Sequence, residues 1–120
     1  MTGIVLFAHG STVESANNAV HEVTAELAHR TGDLVETAFL DCSPPKLADA
    51  VGVLAAKGVS RIVVIPYFLT LGIHLQRDLP RIADELRGIY KGVSIEIAKP
   101  LDGHPALLEI LIDRWRETRR

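Results

Sequence analysis

The fold is decided by the stretch Ile62-Val63-Val64-Ile65, four β-branched residues that Pro66 follows. β-Branched side chains favour extended backbone, and proline breaks the hydrogen-bond ladder of a sheet, so the stretch predicts a buried strand. On its amino side, apolar residues recur at helical spacing from Lys46 to Ala56, which predicts a helix. A helix that leads directly into a buried strand is typical of a parallel sheet.

The same alternation continues in both directions along the chain. Further strands are predicted at Gly3–Ala8, Leu34–Leu40 and Val93–Ile97. The remaining helices are predicted from three apolar stripes, which are formed by Ala16, Val20, Val23 and Leu27, by Leu79, Ile82, Leu86 and Ile89, and by Leu107, Leu108, Leu111, Ile112 and Trp115. The order βαβαβαβα predicts one α/β domain over residues 1–120, with a four-stranded parallel sheet, helices on both faces and the flavodoxin-like strand order 2-1-3-4.

The composition argues against several classes of protein. The 120 residues are 48% hydrophobic and carry a formal net charge of −2, which is unlike a disordered chain or a nucleic-acid-binding surface. No apolar run reaches the ~20 residues of a membrane span. The single cysteine, Cys42, cannot form an internal disulfide and is expected to be a packed thiol. We therefore expect a cytoplasmic protein that binds neither nucleic acid nor a membrane.

Two histidines follow neighbouring strands of the predicted sheet. His9 begins the sequence His9-Gly10-Ser11 after the first strand, and His74 follows the loop Tyr67–Gly72 after the third. Ligands of open α/β sheets bind beyond the carboxyl ends of the strands where the strand order reverses, so both side chains are expected to face one crevice. Neutral imidazole binds Fe²⁺, Co²⁺, Ni²⁺ and Zn²⁺ and also titrates near neutral pH. The pair therefore predicts an open metal site that accepts protons, the alternative being two structural histidines.

Other polar residues near this crevice each leave two interpretations open. Glu36 stands inside a strand, either as a functional carboxylate or as one member of a structural ion pair. Asp41 ends the second strand close to the expected site. Lys46 begins a helix at the rim, where it either meets an anionic substrate or is solvated. Asp78, one helical turn after His74, either orients that imidazole or caps the helix.

The sequence also suggests roles for the other three histidines and for two glycines. His104 follows the last strand and either reaches the crevice rim or starts a helix. His21 and His29 lie beside the apolar stripe of the first helix, where packing is their expected role. Gly10 is expected to bring the backbone close to a ligand, and Gly72 to allow a tight turn.

Four segments of the chain resemble one known family. The segments are His9-Gly10-Ser11, Glu36–Leu40, Pro66–His74 with Asp78 and Pro80, and Pro100–Pro105. Together they are similar to the small form of the sirohydrochlorin chelatases, the CbiX/SirB group, in the correct order over nearly the whole chain. The third segment is the specific one, whereas His-Gly-Ser alone is a weak signal.

This resemblance implies a chelatase-like fold and an enzyme that inserts Co²⁺ or Fe²⁺ into the tetrapyrrole sirohydrochlorin. It makes His9 a metal ligand and proton acceptor and His74 the second metal ligand. The metal is then a substrate, no cofactor is permanently bound, and the same ligands can also hold Ni²⁺ or Zn²⁺. The residues expected to contact the macrocycle are Ser11, Lys46, Leu69, Thr70, Leu71, Gly72 and Ile73, with Glu36, Asp41, Asp78 and His104 in support.

The chain departs from the family pattern at two positions near the site. Thr12 stands where the family commonly has arginine, and Asp41 stands where it often has glutamate. Larger relatives are two-lobed, so a homodimer is expected to supply the second wall of the substrate site. The apolar residues expected to form the shared surface are Tyr67, Phe68, Leu71, Ile73 and Leu75.

Three other functions are alternatives to that of a chelatase. A metal or tetrapyrrole carrier would use the same crevice without catalysing insertion, and the residues alone do not separate the two. A histidine phosphatase would need an arginine before its His-Gly pair, where this chain has Ala8. A signalling receiver would need an acidic pair at the end of the first strand to hold Mg²⁺, and that strand carries none.

Overall fold

The computed structural model describes residues 1–119, in which four strands alternate with four helices. The strands are β1 (Thr2–Ala8), β2 (Leu34–Phe39), β3 (Arg61–Pro66) and β4 (Ser94–Ile97), and the helices are α1 (Glu14–Thr31), α2 (Leu47–Ala56), α3 (Ile73–Ile89) and α4 (Pro105–Glu117). None of the helices within this described part is long and apolar enough to cross a membrane.

All four strands are parallel and lie in the order β2-β1-β3-β4. This confirms the predicted α/β class and strand order. The central strand β1 is buried from Ile4 to Ala8, because it has a neighbour on each side and helices over the sheet. The carboxyl ends of β1, β2 and β3 lie at one edge of the sheet, where the chain leaves β1 and β3 in opposite directions.

The main core lies between the sheet and the helices α2 and α3. Val5, Ile62 and Val64 project from the sheet into this core, where Leu54 of α2 and Leu79 of α3 pack against them. Helix α1 lies on the opposite face. There the Thr24 hydroxyl is 2.7 Å from the hydroxyl of Thr37 on β2, a buried hydrogen bond that ties this helix to the sheet.

The apolar stripe predicted for α1 is only partly correct. Val20 and Leu27 are half-buried, whereas Val23 is exposed, and the buried residues of this helix are Asn17 and Thr24. These two polar side chains can be buried because both are hydrogen-bonded. In α3, Leu79 and Leu86 are buried as predicted, but Ile89 lies in the last turn and is exposed.

Helix α4 departs most from the expectation that its apolar stripe packs against the sheet. It contributes no buried residue, and Leu108, Leu111 and Trp115 are each about 60% exposed. The radius of gyration is 15.4 Å, against about 14 Å for a globular chain of this length. An amphipathic pattern predicts that a helix has an apolar face, but it does not predict what packs against that face. In this structure the sheet of the same chain buries no residue of α4.

Candidate active site

His9 follows β1 at the carboxyl edge of the sheet, where two successive aromatic contacts connect its ring to the core. Its ring stands edge-on to Phe68, with 6.4 Å between the ring centroids. Phe68 in turn packs against Phe7 of the core at 5.9 Å. Edge-to-face aromatic contacts at these distances are favourable, so an exposed imidazole is positioned by a residue that is anchored in the core.

The hydrogen bond of His9 determines which ring nitrogen is free. Its Nδ1 lies 3.1 Å from the carbonyl oxygen of Gly10. A carbonyl oxygen only accepts, so Nδ1 carries the proton and donates it. In the neutral ring, Nε2 then has the lone pair. Because the side chain is exposed, Nε2 is available to bind a metal ion or to accept a proton.

A close backbone approach joins the His9 turn to the end of β2. The Leu40 N–H donates to the Ala8 carbonyl at 2.9 Å, and the Asp41 N–H donates to the His9 carbonyl at 3.0 Å. Gly10 has a φ of 89°, and a Cβ at this position would lie 1.9 Å from the Asp41 carbonyl oxygen. Only glycine fits here, and the approach brings the backbone of Asp41 next to that of His9.

Asn17 of α1 stabilises the same turn through two hydrogen bonds, a role that the sequence did not predict. Its Oδ1 accepts from the Ser11 N–H at 2.9 Å, and its Nδ2 donates to the Ser11 carbonyl at 2.8 Å. The Ser11 hydroxyl accepts from the Val13 N–H at 2.9 Å, so it serves the turn. The sequence feature that could have indicated this role is an amide side chain in the first turn of α1, one residue after Ala16 of the predicted apolar stripe.

Asn17→Ala is expected to lower metal-insertion activity several-fold while the protein stays folded. The change removes both hydrogen bonds to Ser11, which costs about 1–3 kcal/mol when buried partners are left unpaired, and it loosens the turn that carries His9. The measurement is kcat and KM for insertion beside the midpoint of thermal unfolding. The matched control is Asn18→Ala, which changes the exposed neighbour. Equal loss of activity in both variants would contradict a positioning role for Asn17.

The loop between β3 and α3 is fixed at its base by backbone hydrogen bonds. The Tyr67 N–H donates to Phe7, and the N–H groups of Leu101 and Asp102 donate to Phe68 and Leu69. Beyond this base, Leu69 and Ile73 are exposed, at 62% and 79%. Of the other predicted macrocycle residues, Thr70 and Gly72 are exposed and Leu71 is half-buried against the core.

The expectation that Gly72 permits a tight turn is wrong. Its φ is −65° and ψ is 165°, which any residue adopts, and a Cβ at this position would meet no atom within 4 Å. Gly72 is the N-cap of α3. The turn therefore does not require a glycine.

His74 is the second residue of α3, and its ring is exposed. Its Nδ1 lies 3.4 Å from Nη2 of Arg77. A guanidinium only donates, so Nδ1 of His74 accepts this long hydrogen bond. The carboxylate of Asp78 accepts from Arg77 Nε at 3.3 Å. Asp78 therefore contacts Arg77, and it neither caps α3, whose N-cap is Gly72, nor hydrogen-bonds His74.

The topology places His9 and His74 beyond the carboxyl ends of two neighbouring strands, β1 and β3. Within residues 1–119, no group of three or more histidine, cysteine, aspartate or glutamate side chains is arranged to hold a metal ion. The chemistry at this edge is therefore that of two exposed imidazoles, with the Asp41 carboxylate at the end of β2, where its Oδ1 accepts from the Cys42 N–H at 2.8 Å. Such a set can bind a divalent ion and leave coordination positions open.

Lys46 stands between two clefts at the same edge of the sheet. One has a volume of about 350 Å³ and is lined by Asp41, Cys42, Ser43, Pro44, Lys46 and Asp49. The other, about 200 Å³, is largely apolar and also reaches Lys46. The Lys46 ammonium is exposed and suits an anionic group. Cys42 is exposed, so the expectation of a packed thiol is wrong.

Glu36 and His104 have structural roles, which the sequence left open as one of two interpretations for each. Glu36 is half-buried in the amino half of β2 and pairs with Lys57, Oε1 to Nζ 3.7 Å, away from the carboxyl edge. His104 is the N-cap of α4, where its Nδ1 accepts from the Ala106 N–H at 3.0 Å. His21 packs edge-on against Phe39, with 5.4 Å between the ring centroids.

Comparison with known proteins extends over the whole chain. The sequence model of the CbiX family matches residues 3–118. A sirohydrochlorin cobaltochelatase of Sulfurisphaera tokodaii is 34% identical over 120 residues, which are 100% of this chain and 96% of that protein. A sirohydrochlorin cobaltochelatase of Saccharolobus islandicus is 38% identical over 124 residues, covering 98% of this chain and 96% of that protein.

Solved structures show the same fold in one-lobed and longer chains. A CbiX protein of Marinobacter aquaeolei, named for cobalamin biosynthesis, is 29% identical with a TM-score of 0.77, covering 98% of this chain and 96% of that one. The sirohydrochlorin chelatase SirB of Bacillus subtilis, solved with cobalt, is 20% identical with a TM-score of 0.85 and is covered over 50% of its length. The match to its family model and these full-length similarities show that the chain belongs to the CbiX family.

Proposed function

We propose that this protein inserts a divalent metal ion, Co²⁺ or Fe²⁺, into sirohydrochlorin. The observation that carries the proposal is the pair His9 and His74, exposed beyond neighbouring strands of a CbiX-family fold. The names of the full-length relatives state this substrate and cobalt. The SirB structures contain cobalt in one case and Fe³⁺ in another, which supports metal binding by this fold.

In the proposed reaction, one M²⁺ enters the macrocycle and two pyrrole N–H protons leave it. The Nε2 lone pair of His9 binds the ion first and, once the ion passes to the ring nitrogens, accepts a proton from a pyrrole N–H. His74 is the second ligand, and its Nδ1 lone pair becomes available when Arg77 moves aside. The second proton passes to solvent, which reaches both exposed histidines. Asp41, whose N–H is bonded to the His9 carbonyl and whose Oδ1 accepts from the Cys42 N–H, adds negative charge at the end of β2 that attracts the ion.

The substrate is proposed to lie across the edge that carries both histidines. Residues Leu69–Ile73 provide its apolar wall, Lys46 meets an anionic substituent, and Ser11 stands at the His9 turn. One sheet edge forms only one side of such a site. We propose that a second copy of the chain supplies the other side in a homodimer, and that the reaction takes place in the cytoplasm.

The decisive experiment compares a chelatase with a carrier. Purified protein is mixed with sirohydrochlorin and Co²⁺, or with Fe²⁺ under anaerobic conditions, and the absorbance of the metallated ring is followed over time. A chelatase turns over many equivalents of substrate faster than the uncatalysed reaction. A carrier binds about one equivalent per site without accelerating insertion, and this outcome would replace the proposal by the carrier. The reaction without protein and a heat-denatured sample are the controls.

A further inference from the structure

Lys46 stands at a helix position that does not suit a lysine. It is the N-cap of α2, and its side chain makes no hydrogen bond to the first turn. Serine, threonine, aspartate and asparagine are preferred at an N-cap because their oxygens accept from the N–H groups of that turn, whereas an ammonium only donates. The positive charge of Lys46 also lies at the positive end of the helix dipole. Lysine therefore makes α2 less stable than serine would.

Lys57, at the other end of the same helix, is in the opposite situation. It is the C-cap of α2, where a positive charge is favourable, and its Nζ lies 3.7 Å from Oε1 of Glu36. Among the lysines of residues 1–119, Lys57 is the only one with an ion pair. Within this part of the chain, no ion pair offsets the cost of placing Lys46 at the N-cap. Residues that break a local rule in this way are expected at functional sites.

Lys46 lines the smaller of the two clefts at the carboxyl edge, the apolar cleft of about 200 Å³. The other residues that line this cleft are all hydrophobic, namely Phe7, Phe39, Leu40, Leu47, Ala48 and Ile82. No carboxylate of residues 1–119 lines it, whereas Asp41 and Asp49 line the neighbouring cleft and would repel an anion there. The apolar cleft therefore suits a ligand group that is apolar along its length and negatively charged at its end.

The apolar cleft is continuous with the candidate active site. Phe7, which lines the cleft, packs against Phe68 with 5.9 Å between the ring centroids, and Phe68 stands edge-on to His9 at 6.4 Å. Leu40 also lines the cleft, and its N–H donates to the carbonyl of Ala8, the residue before His9, at 2.9 Å. A macrocycle whose centre lies at His9 therefore has part of its periphery at the cleft.

We propose that Lys46 and the apolar cleft bind one propionate arm of the macrocycle, with its methylene groups in the cleft and its carboxylate at the Lys46 ammonium. Sirohydrochlorin carries acetate and propionate arms, and the propionate has the longer apolar part. At about 200 Å³ the cleft is smaller than the roughly 300–1,000 Å³ of pockets that enclose a whole small ligand, so it holds an arm and not the ring. The inference deepens the proposed function and rests on it for the identity of the substrate.

Lys46→Ser is expected to change stability and substrate affinity in opposite directions. Serine restores an N-cap, so the midpoint of thermal unfolding is expected to rise by about 2–6 °C. The dissociation constant of metal-free sirohydrochlorin is expected to rise about 10-fold, because a charge-assisted contact is lost. Equilibrium dialysis followed by visible absorbance measures this constant without metal insertion. Lys46→Arg keeps the positive charge and is expected to retain the affinity within about threefold.

The matched control is Lys57→Ser, which removes the same charge from the other end of α2. This variant loses a favourable helix-end charge and the pair with Glu36, so its midpoint of thermal unfolding is expected to fall while sirohydrochlorin affinity stays unchanged. Equal losses of affinity in Lys46→Ser and Lys57→Ser would indicate a general effect of charge and would overturn the subsite. A Lys46→Ser variant that binds sirohydrochlorin as tightly as the unchanged protein would also overturn it.

Filling the apolar cleft tests the other half of the subsite. Ala48→Leu places a larger side chain at an exposed position that lines the cleft, and it is expected to weaken sirohydrochlorin binding about 10-fold, with an unchanged circular dichroism spectrum. The control is Ala56→Leu, at the exposed far end of α2, which is expected to keep the affinity. Unchanged binding by Ala48→Leu would exclude the cleft as the place of the arm. If the unchanged protein bound no sirohydrochlorin, the proposed function itself would fail, so the two failures are distinguishable.

Discussion

His9→Ala is expected to reduce the rate of metal insertion at least about 100-fold, the lower bound for removing a general base, while the protein remains folded. The variant removes the Nε2 lone pair that is proposed to bind the ion and accept a pyrrole proton. His74→Ala removes the second ligand and is expected to have a similar effect. The measurement is the initial rate of sirohydrochlorin metallation with Co²⁺, beside circular dichroism of each variant. Both histidines are exposed, so neither change leaves a cavity in the core.

The matched controls are two other exposed histidines, both on α1. His29→Ala changes an exposed imidazole on α1, and His21→Ala removes a ring that packs on Phe39. Both variants are expected to retain the insertion rate of the unchanged protein. Full activity in His74→Ala would contradict the two-histidine site, and loss of activity in His29→Ala would show that the site lies elsewhere.

Gly10→Ala is expected to lower the free energy of unfolding by about 3 kcal/mol or more, with loss of insertion activity. A Cβ would lie 1.9 Å from the Asp41 carbonyl oxygen, which is backbone and cannot rotate away. The positive φ costs a residue with a Cβ about 1–2 kcal/mol, and the forced backbone shift about 1–3 kcal/mol more. That shift separates the His9 turn from the end of β2. Urea unfolding followed by circular dichroism measures the stability.

Gly58→Ala separates the clash from the conformational strain. Gly58 has a φ of 84°, close to the 89° of Gly10, but a Cβ there would meet nothing within 4 Å. This variant is expected to lose only the about 1–2 kcal/mol of the left-handed conformation and to keep its activity. If the two variants were equally stable, the contact between Gly10 and Asp41 would contribute nothing to the fold.

Local sequence patterns were sufficient to predict most of the fold. The β-branched run at Ile62–Ile65 and the helical stripe at Leu79 and Leu86 led to the observed core, because burial and period are local properties. The alternation of elements then restricts the topology, since parallel crossovers are right-handed. The prediction that α4 packs against its own sheet was wrong. The apolar stripe that ends in Trp115 would have the same sequence pattern whether its own sheet or another chain packed against it.

The candidate site was predicted less completely than the fold. The positions of His9 and His74 follow from strand ends, which the sequence indicates. The two hydrogen bonds between Asn17 and Ser11 depend on how α1 is seated, and no spacing rule predicts them. The pairing of Glu36 with Lys57 likewise joins residues that only the folded chain brings together.

The guanidinium of Arg77 beside His74 has a consequence for how long an ion stays on the protein. A divalent ion on Nδ1 of His74 would displace a positive charge that now lies 3.4 Å from that atom. The ion would replace the hydrogen bond from Arg77 and would be repelled by the displaced guanidinium, a repulsion that Asp78 offsets only in part. In the proposed reaction the ion is cargo, and a ligand that held it firmly would compete with the four nitrogens of the macrocycle. The resident arginine would shorten the dwell time of the ion and so favour delivery over storage.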